Sequence, residues 1–172
     1  MFLNYLKNFF TQKIVKKTIA NVKPVSGDQK IQTVGIIFDE SYFYEREALV
    51  SELIQNGIQE ANIKVLVFKD KIKKNEQFDY PTFSHKDLSW TATFDKSEVK
   101  EFTAQKFDLL INYYDTEKAP LLLVSNQSKA SFKVGFSSID KKLNHFTITT
   151  NAENYKVFVE ELFKYLKILN KL

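Results

Sequence analysis

The sequence predicts a three-layer α/β domain of the Rossmann-like or flavodoxin-like type, with a mostly parallel sheet and a preceding N-terminal amphipathic helix. Short, continuous apolar runs are typical of strands that are buried on both faces. These runs alternate with helical patterns, and 44% of the 172 residues are apolar, which suffices for one core. We therefore expect a basic helix over residues 1–23, a linker over 24–30 and a single α/β domain over 31–172.

The first segment, residues 2–22, has a helical period and two successive apolar faces. At 100° per residue one group falls on an arc of about 140°, and it comprises Phe2, Leu3, Leu6, Phe9, Phe10 and Ile14. A second stripe on a different face comprises Val15, Ile19 and Val22. Two faces predict two contacts, one with a membrane or a partner and one with the body of the domain. The alternative is a kinked helix that packs entirely on its own domain.

Basic charge is concentrated near the start of the chain. Residues 1–27 contain five lysines and no acidic residue, whereas the remaining residues carry 20 basic and 21 acidic side chains. The predicted basic surface combines lysines of the helix with a cluster after the second strand: Lys7, Lys13, Lys16, Lys17, Lys69, Lys71, Lys73 and Lys74. The alternative is an ordinary solvated face. Arg46 is the only arginine, which disfavours sequence-specific nucleic-acid binding but leaves contact with anionic lipid or RNA open.

The first half of the domain predicts a βαβ unit. Thr33–Phe38 and Ile63–Phe68 are the apolar strands, and a helix between them runs from an N-cap at Ser41 to about Gln55, where Asn56-Gly57 ends it. No clear period follows Asp70. An alternation with polar residues then predicts a short strand that contains Leu88, Trp90, Ala92 and Phe94.

The second half continues the alternation. The predicted strands cover Phe107–Tyr113, Phe132–Phe136 and Phe146–Thr149. A helix from a capping Asp95 to about Gln105 precedes the first of them, and a helix from Ala119-Pro120 to about Asn126 follows it. The last helix runs from a cap at Thr150 or Asn151 to about Leu169. The apolar face of this last helix spans about 240°, whereas a helix on a sheet needs only about 100°. The extra width predicts a second partner, which is either the N-terminal helix or a second subunit in a homodimer.

Candidate ligand-binding residues follow two central strands. Ligands of such sheets bind beyond the carboxyl ends of the strands, where the sequence places Asp39, Glu40, Tyr114 and Asp115. Three acids and a phenol there suit a polar metabolite, and Asp39 with Asp115 is a candidate carboxylate pair for a cation such as Mg²⁺. The alternative is that these acids only cap helices and end strands.

Several chemistries lack the residues they need. The chain has no cysteine, two histidines and four glycines, and the turn after the first strand is acidic and bulky where a phosphate loop needs glycines. His85, two residues before Asp87, is a candidate general base, with an exposed loop histidine as the alternative. We assign no catalytic residue, metal site or cofactor.

Because no signal peptide or long apolar run is found, the expected compartment is the cytoplasm, with peripheral membrane contact left open.

Five stretches carry a resemblance to a known family. They are Lys64–Asn75, Tyr80–Phe83, Asp87–Trp90, Phe107–Asp115 and Phe132–Phe136. Together they resemble an uncharacterised Bacteroidota family known as a domain of unknown function, a resemblance that covers nearly the whole chain and implies no activity. Phe107–Ile111, Ser128–Ala130 and Lys133–Phe136 are also similar to part of the N-terminal half of heptosyltransferase-like glycosyltransferases. This chain lacks the second half, which holds the nucleotide sugar in that family.

Two functional hypotheses follow. The first is a non-catalytic α/β accessory or binding protein that acts through an unknown protein partner or an anionic surface, using its basic N-terminal helix. The second is a small-molecule-binding protein or enzyme with a site at the carboxyl ends of the strands.

Overall fold

The structure is a computed structural model that describes residues 2–23 and 29–172, with only the helical backbone for residues 2–5. In this part of the chain the helices are α1 (Phe2–Thr18), α2 (Arg46–Gln55), α3 (Ser97–Ala104), α4 (Ala119–Gln127) and α5 (Tyr155–Ile168). The strands are β1 (Val34–Asp39), β2 (Ile63–Phe68), β3 (Thr82–Phe83), β4 (Leu109–Tyr113), β5 (Phe132–Phe136) and β6 (Phe146–Ile148). None of the described helices is long and apolar enough to cross a membrane.

The strands form one parallel sheet in the order β3-β2-β1-β4-β5-β6. The chain builds β1 to β3 toward one side and then crosses back to place β4 on the other side of β1. α2 packs with α5, while α3 packs with α4, so the helices form layers on the sheet. The predicted three-layer α/β class is confirmed, and the strand order is that of the Rossmann fold, with its topological switch point between β1 and β4.

The central strands are buried throughout because their sequences are almost entirely apolar. Every residue of β1, β4 and β5 is buried, as expected for strands covered by helices on both faces. The aromatic ring of Tyr113 stacks on Phe38 with 5.4 Å between the centroids and meets Phe136 and Phe158 edge-on. This cluster joins β1, β4 and β5 to α5 beneath the switch point.

α1 lies on α4. Thr11, Val15 and Ile19 are buried in that contact, so the predicted second stripe faces the body of the domain. The helix ends at Thr18 and not near residue 22. The predicted linker over 24–30 lies largely outside the described residues, which resume at Gln29.

The predicted third strand is in the wrong place. β3 is formed by Thr82 and Phe83, whereas Leu88 and Phe94 make only an isolated antiparallel bridge. Alternation of apolar and polar residues was a misleading signal here, because Trp90 between them is 51% exposed.

Three predicted helix caps are wrong. Ser41 lies in a turn, where its backbone N–H donates to Asp39 Oδ1 (3.0 Å), and α2 begins five residues later. α3 begins after Lys96 without a side-chain cap, so Asp95 does not cap it. α5 begins after Asn154 and not at Thr150 or Asn151. Before α2 and α5 the chain continues in a turn, whereas before α3 it stays extended for one more residue, Lys96.

The wide apolar face of α5 meets α2 and β6. The expectation that α1 covers it is wrong, because α1 packs on α4. Three apolar residues near the end of the chain, Ile168, Leu169 and Leu172, remain exposed. A second subunit on this face stays a prediction.

Candidate functional site

The carboxyl edge of the sheet holds a buried cluster of charges at the switch point. Asp39 ends β1, and its Oδ2 lies 2.8 Å from Nζ of Lys118, the residue before α4. Asp70, which follows β2, brings its Oδ2 within 3.1 Å of the same ammonium. The side chains of Lys118 and Asp39 are only 9% and 4% exposed. The crevice in which ligands of this fold bind is therefore occupied by the protein's own ion pairs.

Lys118 is held from several further directions. Its Nζ donates to Ser41 Oγ (2.9 Å) and lies over the rings of Tyr42 and Phe68, 4.5 and 5.0 Å from their centroids. Burial opposes the charged form, but the hydrogen bonds and charges of the two aspartates outweigh it and raise the pKa of Lys118. The ammonium thus stays protonated at neutral pH, which suits electrostatic stabilisation and does not suit a nucleophile or a base.

A second group of charges neutralises Glu40. Its carboxylate accepts a hydrogen bond from Arg46 Nη1 (2.8 Å), and Lys69 Nζ lies 3.5 Å from its other oxygen. Lys69 also pairs with Glu76 at 2.7 Å, and Arg46 stacks over the ring of Tyr80 at 4.2 Å. The hydrogen bond to Glu76 raises the pKa of Lys69. Glu40 is therefore engaged within the protein and has no free charge to offer.

His85 lies next to this cluster and is mostly buried. Its side chain is 26% exposed, and Nε2 is 3.4 Å from Asp70 Oδ1. Burial lowers the pKa of His85; Asp70 opposes this shift, but burial together with nearby Lys118 and Lys7 outweighs it, so the ring is mostly neutral at pH 7. The alternative of an exposed loop histidine is wrong. The carboxylate beside it is Asp70, because Asp87 instead accepts hydrogen bonds from the backbone and the hydroxyl of Ser84.

The other two predicted ligand-binding residues have structural partners. Tyr114 is 1% exposed, and its hydroxyl lies 2.5 Å from Ser125 Oγ inside the core. Asp115 Oδ2 accepts a hydrogen bond from the backbone N–H of Ala152 (3.2 Å), which fixes the approach to α5. The structure thus pairs Asp39 with Lys118 and Asp115 with the backbone. A ligand-binding role for the four predicted residues stays a prediction.

The predicted basic surface divides into paired and unpaired lysines. Lys7 donates to the carbonyl of His85 (3.2 Å), Lys16 pairs with Glu117 (2.6 Å), and Lys69 belongs to the Glu40 network. The other five members are exposed, and none of them forms an ion pair within the described part of the chain: Lys13, Lys17, Lys71, Lys73 and Lys74.

Sequence reasoning missed Lys118 because a lone lysine before a helix carries no signal. It also missed a buried polar network between β4, β5 and α4. Ser125 Oγ donates to Asn112 Oδ1 (2.7 Å), and Asn112 Nδ2 donates to Asn144 Oδ1 (2.8 Å). Gly135 leaves room for Asn144, since a Cβ there would lie 2.8 Å from its Nδ2. The available signal was Lys133, a charged residue inside an apolar strand.

The described residues include no group of three or more His, Asp or Glu side chains placed to hold a metal ion.

The chain belongs to the family of unknown function DUF6913, whose model matches residues 7–169. No curated protein and no solved structure matches it. The resemblance to a domain of unknown function is thus confirmed, while the Bacteroidota origin and the likeness to heptosyltransferases stay predictions.

Proposed function

We propose that this member of the family is a non-catalytic α/β binding protein that attaches to an anionic lipid surface through the outer face of α1. The observation that carries the proposal is a helix docked on the domain by one face only. Thr11, Val15 and Ile19 are buried against the body, whereas Phe9 and Phe10 are 55% and 48% exposed.

The outer face combines aromatic and basic side chains in the pattern of an interfacial helix. At 100° per residue, Lys13 and Lys17 fall in the same arc as Phe9, Phe10 and Ile14, and all five are exposed. Long lysine side chains reach the headgroups while aromatic rings enter the boundary with the acyl chains. No acidic residue occurs before Asp28, so nothing on this helix repels an anionic surface.

The composition of this face favours an anionic lipid surface over single-stranded RNA and over an apolar protein groove. Single-stranded RNA is bound in positively charged grooves with aromatic platforms, to which arginine adds cation–π contacts, whereas this face is one side of a single helix and has no arginine. A protein groove that accepts a helix takes an apolar stripe, whereas lysines interrupt this one. RNA and protein binding are therefore outcomes of the test.

The carboxyl edge gives less support to the small-molecule alternative. Asp39 and Glu40 are neutralised by Lys118 and Arg46, and the aromatic rings of Tyr42 and Phe68 cover the ammonium. A ligand would first have to displace these partners.

The experiment is flotation of the full chain with vesicles of phosphatidylglycerol and phosphatidylcholine, compared with vesicles of phosphatidylcholine alone. We expect binding to the anionic vesicles that weakens as salt is raised. The variant F9S/F10S should lose this binding. Lys13→Glu/Lys17→Glu should weaken it by about tenfold or more, since each lysine near an anionic surface contributes about 1 kcal/mol.

The matched control is Tyr44→Ser/Trp90→Ser, which removes two exposed aromatic residues from elsewhere on the surface. It should bind like the unmodified protein, and circular dichroism should show all variants folded. Equal binding of F9S/F10S, no flotation with anionic vesicles, or a preference for RNA or a single protein in a competition assay would each overturn the proposal.

A further inference from the structure

A cavity of about 610 Å³ opens at the amino edge of the sheet, opposite the charge cluster at the carboxyl edge. Its walls come from the segment after α1, the connection between α4 and β5, and the residue before β6, represented by Ala20, Ser131 and His145. Phe132, the first residue of β5, lies among them. The volume falls in the range of sites that enclose small molecules.

The lining of this amino-edge cavity is strongly basic. It includes Lys23, Lys129, Lys133, Lys142 and Lys171. Within the described part of the chain none of these five lysines forms an ion pair with a carboxylate. Asp108 is the acid in the described lining, and its oxygens already accept hydrogen bonds from Gln29, Gln32 and Thr33. The cavity therefore gathers positive charge without compensation from the residues described.

Lys133 is the most unusual of these side chains because it is buried within β5. The residue is 6% exposed, and its Nζ donates one hydrogen bond, to the carbonyl of Ser125 (2.7 Å). A lysine ammonium carries three N–H donors. No acceptor for the other two is found in the described residues, and burying an ammonium with so few partners is costly.

The wall beside Lys133 is fixed. Its backbone N–H donates to His145 Nδ1 (2.9 Å), so the other ring nitrogen carries the proton and donates to the carbonyl of Lys23 (2.8 Å). Lys171 is buried as well, with its Nζ 5.4 Å from the centroid of the Phe132 ring. Two buried ammonium groups thus flank a rigid wall.

We propose that the amino-edge cavity binds a small phosphate-bearing molecule, with the Lys133 ammonium as its central anchor. A phosphate group offers several acceptor oxygens and up to two negative charges, which matches an ammonium with free donors among further lysines. Desolvation lowers the pKa of Lys133 to about 8, and a bound dianion would raise this pKa and so stabilise the ammonium form that is present near pH 7. The site is separate from the outer face of α1 and does not depend on lipid attachment.

The experiment is calorimetric titration of the full chain with inorganic phosphate and with glycerol phosphate, near pH 7. We expect binding that weakens at least tenfold in Lys133→Met and measurably in Lys142→Met. The second variant changes an exposed lysine of the lining, so it keeps the test decisive if Lys133→Met fails to fold. Lys73→Met, an exposed lysine outside the lining, is the control and should bind unchanged.

A second readout follows Lys133 itself. At pH 8 an amine-reactive reagent should modify it, as detected by peptide mass spectrometry, and phosphate should protect it. Binding to vesicles of phosphatidic acid that is lost in both cavity variants, without binding of soluble phosphate, would assign the group to a lipid headgroup. Unchanged phosphate binding in both variants, or no binding and no protection by either source, would overturn the proposal.

Discussion

The buried lysines at the two edges of the sheet have pKa values that are shifted in opposite directions. At the carboxyl edge Lys118 has Asp39 and Asp70 as partners, and its pKa is raised. At the amino edge Lys133 has a single carbonyl partner, and burial lowers its pKa to about 8. The same side chain at similar depth thus differs in its proton affinity because carboxylates pair with Lys118, whereas none in the described residues pairs with Lys133.

This difference bears on where a ligand binds. Strand order places the expected crevice between the carboxyl ends of β1 and β4. That crevice is filled by paired side chains, whereas the amino edge keeps an open cavity with unsatisfied donors. Topology indicates where a site can form, and the pairing of side chains decides whether it is available.

The largest effect should come from removing the ammonium at the carboxyl edge. Lys118→Met leaves the carboxylate of Asp39 buried without its cation, which should cost about 3–5 kcal/mol of unfolding free energy. Denaturant unfolding at pH 7 measures this. Asp39→Asn in the Lys118→Met background should recover part of the loss, because the unpaired charge is then gone. A loss below about 1 kcal/mol would show that the carboxyl edge is not held by this pair.

At the amino edge, removing the buried ammonium of Lys133 should raise the unfolding free energy and not lower it. Lys133 has a pKa of about 8 in the folded protein and 10.5 when unfolded, so between these values the unfolded chain binds more protons. Its contribution to stability therefore rises as pH increases from about 8 to 10.5, by roughly 3 kcal/mol at most.

Unfolding curves of the unmodified protein and of Lys133→Met across this pH window test the sign. Subtracting the two removes the contributions of the tyrosines and the other lysines. The difference should favour Lys133→Met most below pH 8 and shrink as pH rises. Lys129→Met, an exposed lysine of the same cavity, should show no such trend. A flat difference for Lys133→Met would mean that its ammonium is already compensated.

The sequence revealed the fold better than the site. Apolar runs such as 34–38 in β1 are recognisable because burial on both faces favours apolar residues. The charge cluster was not recognisable, since Lys118 meets Asp39 and Asp70 only after β1, β2 and α4 are brought together. β3 was misplaced because a strand of two residues leaves too short a pattern.

A smaller effect should follow from the one acid of the described amino-edge lining. Burial raises the pKa of Asp108, but hydrogen bonds from Thr33, Gln32 and Gln29 outweigh it and bring the pKa below 3.8. Its stabilisation is present above pH 3.8 and is lost as pH falls through the lowered pKa. Asp108→Asn should cost about 1–3 kcal/mol at neutral pH.

Acid unfolding curves check this sign. The stability difference between Asp108→Asn and the unmodified protein should disappear toward low pH, where both side chains are neutral. A difference that persists there would assign the cost to packing and not to the charge.

The smallest effect should come from an ion pair that belongs to neither edge cluster. Lys16 Nζ lies 2.6 Å from Glu117 and links α1 to the segment before α4, but the lysine side chain is 48% exposed. Water screens such a pair, so Lys16→Met should change the unfolding free energy by about 0.5 kcal/mol or less. Denaturant unfolding at low and high salt measures it alongside Lys118→Met. If the two losses were equal, burial would not be what makes the ion pair of Lys118 stronger than that of Lys16.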